Sequence, residues 1–152
     1  MMLAAVLALL AAPGAPAAAE PALPPSFRRE IIQTCAPTTI EDAVACLRAS
    51  VSAEDFAILA DRIPARRFRG FIDCEIETAW RLGDSNSPMG RLMDGLLGFH
   101  NPGFAASMII SDLQVRSRDG DGVQFDEVRN QFRTNPPPVP PTTCNEFTTP
   151  SA

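Results

Sequence analysis

The sequence predicts an all-α domain of about five or six short helices, stapled by disulfides and followed by an extended proline-rich tail. Three observations carry this reading. Apolar residues return at three- and four-residue intervals through most of the chain, which is the period of one helix face. Those stretches open on Ser, Thr or Asn followed by acids or proline, and several close on Gly, as helices do. No run of useful length alternates apolar with polar residues, so a half-buried strand has no signature here.

The chain has 152 residues, room for one domain. Residues 2–12 form an uncharged apolar run, broken by Pro13, Gly14 and Pro16. Ala17-Ala18-Ala19 then supplies the small residues that a signal peptidase reads, so cleavage is expected after Ala19, leaving Glu20 first. The apolar run falls short of the about 20 residues a membrane span needs. Residues 20–25 read as an extended leader, 26–133 as the helical domain and 134–152 as the tail.

All 13 basic residues are Arg, against 18 acids, with no Lys and no Tyr. That bias fits a GC-rich bacterial genome, so the expected destination is the periplasm or the medium. A net charge of −5 argues against nucleic acid, whose phosphates call for a basic surface. Cys35, Cys46, Cys74 and Cys144 fit two disulfides in an oxidising compartment, with three pairings open. Zinc would need all four, because the chain has one His, and their spacing matches no zinc motif.

Within the domain, Ser26 is placed to cap a short helix over 27–34 that ends before Pro37. Thr38 with Glu41 forms a capping box, after which Ile40, Ala43, Val44, Leu47 and Val51 give one apolar face. Ser52 with Asp55 repeats the pattern for a helix over 53–62 carrying Phe56, Leu59 and Ile63, closed by Pro64. A longer helix is expected over about 65–82, with Phe68, Phe71, Ile72, Ile76, Ala79 and Trp80 as its stripe and Gly83 as its stop. Ser87-Pro88 starts the next, with Met89, Leu92, Met93, Leu96 and Leu97 inward and Gly98 at its end. Asn101-Pro102 starts another whose residues Phe104 to Leu113 leave almost no polar side, so it should be central. A turn at Asp119-Gly120-Asp121-Gly122 leads to a last helix over 123–132 with Phe125, Val128 and Phe132. Five prolines between 136 and 141 then impose an extended polyproline stretch, for which Cys144 is the only visible anchor.

The order of these signals resembles a small bacterial helical family of unknown function. Thr39-Ile40-Glu41-Asp42-Ala43, Ser52-Ala53-Glu54-Asp55, Trp80-Arg81-Leu82, and Gly98-Phe99-His100-Asn101-Pro102 ahead of Ser107-Met108-Ile109 carry the likeness, over about 37–115. Family members tend to have an Arg-Asn pair before the Trp and two acids after the Pro. Here those places hold Glu77-Thr78 and Gly103-Phe104. The resemblance implies a helical domain and no activity.

Candidate chemistry is sparse. His100 sits between Gly98 and Asn101-Pro102, where an interhelical turn rather than a Ser–His–acid unit is expected. Asp119-x-Asp121-Gly122 lacks both ends of a calcium loop, since Ser117 and Val128 fall where ligands are needed. Arg62, Arg66, Arg67 and Arg69 crowd a helix start, against the helix dipole, which suggests an anionic partner beside the plain solvated face. Glu75 falls inside an apolar stripe, so it should pair with an Arg, line a wet groove or be neutralised. Glu75, Trp80, His100, Arg66 and Arg67 are therefore the candidate binding residues, with no catalytic residue, metal or cofactor assigned. The reading favoured is an exported, non-catalytic helical module that binds a protein or envelope component. The alternative is a small carboxylate-dependent hydrolase with Glu75 and His100 near each other and one of Asp73, Glu77 or Asp94 as second acid.

Overall fold

In the computed structural model the described residues are 26–60, 66–139 and 144. The expected signal peptide, the leader and most of the tail beyond Val139 lie outside them. So do Ile63 and Pro64, and the side chain of Leu59. Seven helices and no strand occur among the described residues: α1 Arg29–Thr34, α2 Ile40–Ser50, α3 Ala53–Ala60, α4 Arg66–Ala79, α5 Pro88–Leu97, α6 Pro102–Asp119 and α7 Phe125–Phe132. The fold is all-α, with one helix more than the expected upper count.

The central position foreseen for the 102 helix is observed. α6 packs on α2, α3, α4 and α5, while α1 lies against α2 and α4, and α7 against α5. Ile72 and Ile76 of α4, Met93 and Leu97 of α5, and Ile109 and Ile110 of α6 are almost fully removed from water. Each such side chain contributes roughly 1.5–3 kcal/mol. α7 sits shallowly: it has no fully buried residue, and Phe125, Val128 and Phe132 are half-buried.

Several helix ends depart from the expected chemistry. Ser26 does not cap α1, whose start at Arg28 has no side-chain cap. Its hydroxyl instead accepts from the Ser52 amide at 3.1 Å and donates to the Asp55 carboxylate, fastening the chain start to the α2–α3 junction. The cap of α2 is Thr39, one residue later than expected, with its hydroxyl accepting from the Asp42 amide at 3.1 Å. That register brings Ile40 into the first turn, where it is buried. The Ser52 and Ser87 caps are as expected, on Asp55 and Gly90.

α4 stops at Ala79, ahead of Gly83. The Leu82 amide reaches back to the Glu77 carbonyl at 3.0 Å and the Arg81 amide to Thr78 at 3.3 Å, the paired bonds of a Schellman end. The left-handed residue this requires is Arg81, with φ 52°, so a non-glycine residue carries the turn. Its early stop brings Leu82 into the core and lets the loop close on α5. A Cβ at Gly90 would meet the Asp84 carbonyl at 2.2 Å, which explains a glycine inside that helix.

α6 runs on to Asp119, and the following turn is tied back to it. Asp112, fully buried, accepts from the Val123 amide at 2.7 Å and from Arg116 Nε at 2.5 Å, while Arg116 also reaches Glu41 at 2.9 Å. The hydrogen bond that Arg116 donates to Asp112 is the main reason its guanidinium is held further toward the charged form. Val123 is thereby kept out of α7, which begins two residues later than expected.

The disulfides pair Cys35 with Cys46 and Cys74 with Cys144, Cα atoms 6.2 and 5.2 Å apart. The first joins the end of α1 to α2, and the second holds the tail to α4. Cys144 is not the tail's only anchor. Buried Asn101 caps α6 through its oxygen, accepting from the Phe104 amide, while its nitrogen donates to the carbonyls of Pro137 and Pro138 at 3.2 and 3.4 Å. A polyproline stretch makes no internal hydrogen bonds, so its carbonyls are available for this.

Candidate functional site

Glu75 lies on the α4 face toward α1 and pairs with Arg29 at 2.6 Å. Its side chain is 12% exposed and that of Arg29 is 47% exposed. The surrounding recess, about 160 Å³, is lined by Arg29, Gln33, Cys74, Glu75 and Thr78. It contains no second acid. The other acids considered as partners are engaged elsewhere: Asp73 accepts from Ser107 across to α6 at 3.0 Å, and Asp94 belongs to the His100 cluster. Glu77 lies 3.6 Å from the Cys144 sulfur, and burial pushes its carboxyl above the ordinary range.

His100 lies in the α5–α6 turn, as expected, and bonds to side chains there. Its Nδ1 lies 3.0 Å from both Asp94 carboxylate oxygens and 3.3 Å from Ser85 Oγ, and Ser85 donates to Asp94 at 2.6 Å. The residue types are those of a hydrolytic triad, but the topology is not. Base and orienter must use opposite ring nitrogens for proton transfer, whereas serine and aspartate here meet the same one. The cluster ties the loop at Ser85 to α5 and to the α5–α6 turn. Neither the bonds of His100 nor the recess at Glu75 includes the other residue.

Trp80, expected as a binding residue, is a core residue. It is 5% exposed and its indole donates to the Ile32 carbonyl at 3.2 Å, so burial and hydrogen bonding account for it fully. Arg66 and Arg67 open α4, and their side chains lie outside the described residues.

A larger groove of about 450 Å³ was not foreseen in the sequence. It lies where the end of α5 meets the last turn of α7, with Leu97, Phe99, Phe132 and Pro136 as apolar walls and Arg129 and Arg133 at its edge. Phe99 and Phe132 line it, and Phe104 packs against both. The ring of Phe132 meets Phe104 at 5.3 Å and Phe99 at 6.2 Å, edge to face, and Phe99 meets Phe104 at 5.6 Å, distances at which aromatic quadrupoles attract. Gly98 makes the approach possible. Its φ of 78° ends α5, and a Cβ there would come within 3.0 Å of the Arg129 stem. Arg129 is fixed by the Gly95 carbonyl at 3.3 Å and by exposed Asp126. No acid lines the groove.

The signal for this site was present but faint. Arg129 and Arg133 stand four residues apart, on one helical face, with Phe132 between them. Nothing in the sequence says that α5 ends opposite that face.

Among the described residues no group of three or more His, Cys, Asp or Glu could hold a metal ion, and no helix is long and apolar enough to cross a membrane. Comparison with protein-family models, curated proteins and solved structures found no match to this chain.

Proposed function

We propose that this chain is an exported, non-catalytic helical interaction module of a bacterial periplasm or extracellular space, binding a protein or envelope component through the α5–α7 groove. The observation that carries the binding site is the groove itself, which sets Phe99, Phe132 and Pro136 beside two arginines and no acid. Ligand sites are concave and combine apolar walls with a few convergent polar groups. Two disulfides and the apolar leader at 2–12 support export. The likeness of 37–115 to a small bacterial helical family belongs to the same proposal.

The hydrolase alternative loses its support in the geometry. Glu75 is spent on Arg29 without a second acid in its recess, and His100 presents one nitrogen to both of its partners.

The test is capture from the producing cell's envelope extract with mature, oxidised protein as bait. Wild type is expected to retain a partner that Arg133→Glu releases and Arg91→Glu keeps. Equal retention by all three baits would move the site away from the groove. No retained partner from envelope or medium would remove the interaction reading.

A further inference from the structure

Arg133 is singular. Every other arginine whose side chain is described has a partner: Arg29, Arg81, Arg116 and Arg129 have carboxylates, Arg28, Arg91 and Arg118 have backbone carbonyls, and Arg48 lies over the Phe56 ring at 5.2 Å. Arg133 has none among the described residues, in a chain where acids outnumber bases by 18 to 13. An excess of acid makes an unpaired guanidinium the less expected outcome. It stands at the C-terminal end of α7, where the helix dipole favours a cation, and it borders the groove.

We infer that the groove takes a small amphipathic monoanion: a carboxylate or similar head group on Arg133 and Arg129, with an aromatic or branched apolar body over Phe99, Phe132 and Pro136. The inference rests on the proposed binding role and names its ligand class. Arg133 supplies the unspent donor pair, and a planar guanidinium suits a carboxylate bidentately. Arg129 supplies the second charge. Its partner Asp126 is 84% exposed, and a pair in solvent is held so weakly that a ligand head group can share the guanidinium. The volume of about 450 Å³ lies within the range of small-molecule sites, about 300–1,000 Å³. A charged membrane surface fits less well. Binding to it needs a cluster of bases, whereas Asp126 and Glu127 stand exposed on the same short helix.

The probe pair is 8-anilinonaphthalene-1-sulfonate, an aromatic monoanion, and its uncharged relative N-phenyl-1-naphthylamine, titrated by fluorescence into full mature protein with both disulfides intact. The anion should bind saturably at one site and be displaced by 4-phenylbutyrate but not by 4-phenylbutanol. Loss of one charge-assisted contact in Arg133→Gln should weaken the anion about tenfold while leaving the neutral probe within about twofold. Arg91→Gln, away from the groove, should change neither. Because Arg133 is exposed, its substitution leaves the helical circular-dichroism spectrum intact, which separates lost contact from lost fold. Equal binding of the two probes, insensitive to Arg133→Gln, would overturn the anionic ligand while leaving an apolar binding groove. No saturable binding of either probe, with partner capture still dependent on Arg133, would overturn the small-molecule class but spare the interaction reading. Absence of both would sink the two together.

Discussion

The side of the molecule built from α1, α2, α4 and α6 and the end built from α5 and α7 solve their polar chemistry in opposite ways. On the first side Glu75 is closed on Arg29, and Asp112 on Arg116 and the Val123 amide. Both disulfides lie there too. At the other end α7 has no fully buried residue, its phenylalanines are half in water, and the Arg133 side chain has no partner among the described residues. The first arrangement consumes its functional groups in holding the fold. The second leaves apolar surface and charge available, which is what a binding surface requires.

The largest expected effect removes the tail's covalent anchor. Replacing Cys74 and Cys144 with Ser opens a link spanning 70 residues and should cost about 4 kcal/mol by the chain-entropy relation, against about 3 kcal/mol for Cys35 and Cys46 at a separation of 11. Denaturant unfolding of the two double variants measures the difference. Equal losses would mean that native strain, not loop closure, decides their worth.

Asp112→Ala comes next. It leaves Arg116 without its main partner and the Val123 amide unpaired, and should destabilise by about 3 kcal/mol. A melting temperature within a degree or so of wild type would contradict the closed-network description. Glu75→Ala is expected to cost only about 1 kcal/mol, because Arg29 is half in solvent and can rehydrate when its partner is removed. A fully buried ion pair would carry a heavier penalty, about 3–5 kcal/mol. Placing Glu75 in an apolar stripe was sound, but the stripe's edge faces a partner arginine from a helix six residues long, and exposure of that partner sets the energy.

The same division separates what the sequence made legible from what it did not. Caps whose signal and effect lie within four residues, such as Ser87 on Gly90 and Asn101 on Phe104, were readable. So was α6 as the central helix, since no polar face remained for water. The misreadings come from groups that act at a distance. Ser26 serves Ser52 and Asp55, Asn101 holds Pro137 and Pro138, and Asp112 holds Val123; each has a local alternative that looks equally good in one dimension. Arg81 in a left-handed conformation defeats the glycine rule for the same reason, since burial of Leu82 outweighs the local preference. The groove is the extreme case, because its walls come from residues about 97–99 and 129–136, brought together only by the packing of α7 on α5.

The smallest effect concerns pH. Burial raises the Glu77 carboxyl above its unfolded value. Between the two values the folded state holds more protons, so this group's contribution to stability falls as pH rises through that window and stays lost above it. Glu77→Gln should therefore raise the melting temperature relative to wild type at pH 7 and make little difference near pH 4. A gain of equal size at both values would show that the carboxyl is not the cause.

The central claim is that recognition belongs to the α5–α7 end and structure to the other side. Amide hydrogen exchange on the mature protein, alone and with its captured partner, tests this directly. The account predicts slowed exchange confined to residues 97–99 and 129–135 around the groove, with the α1–α4 recess unchanged. Protection at Gln33, Glu75 and Thr78 with none at the groove would contradict it.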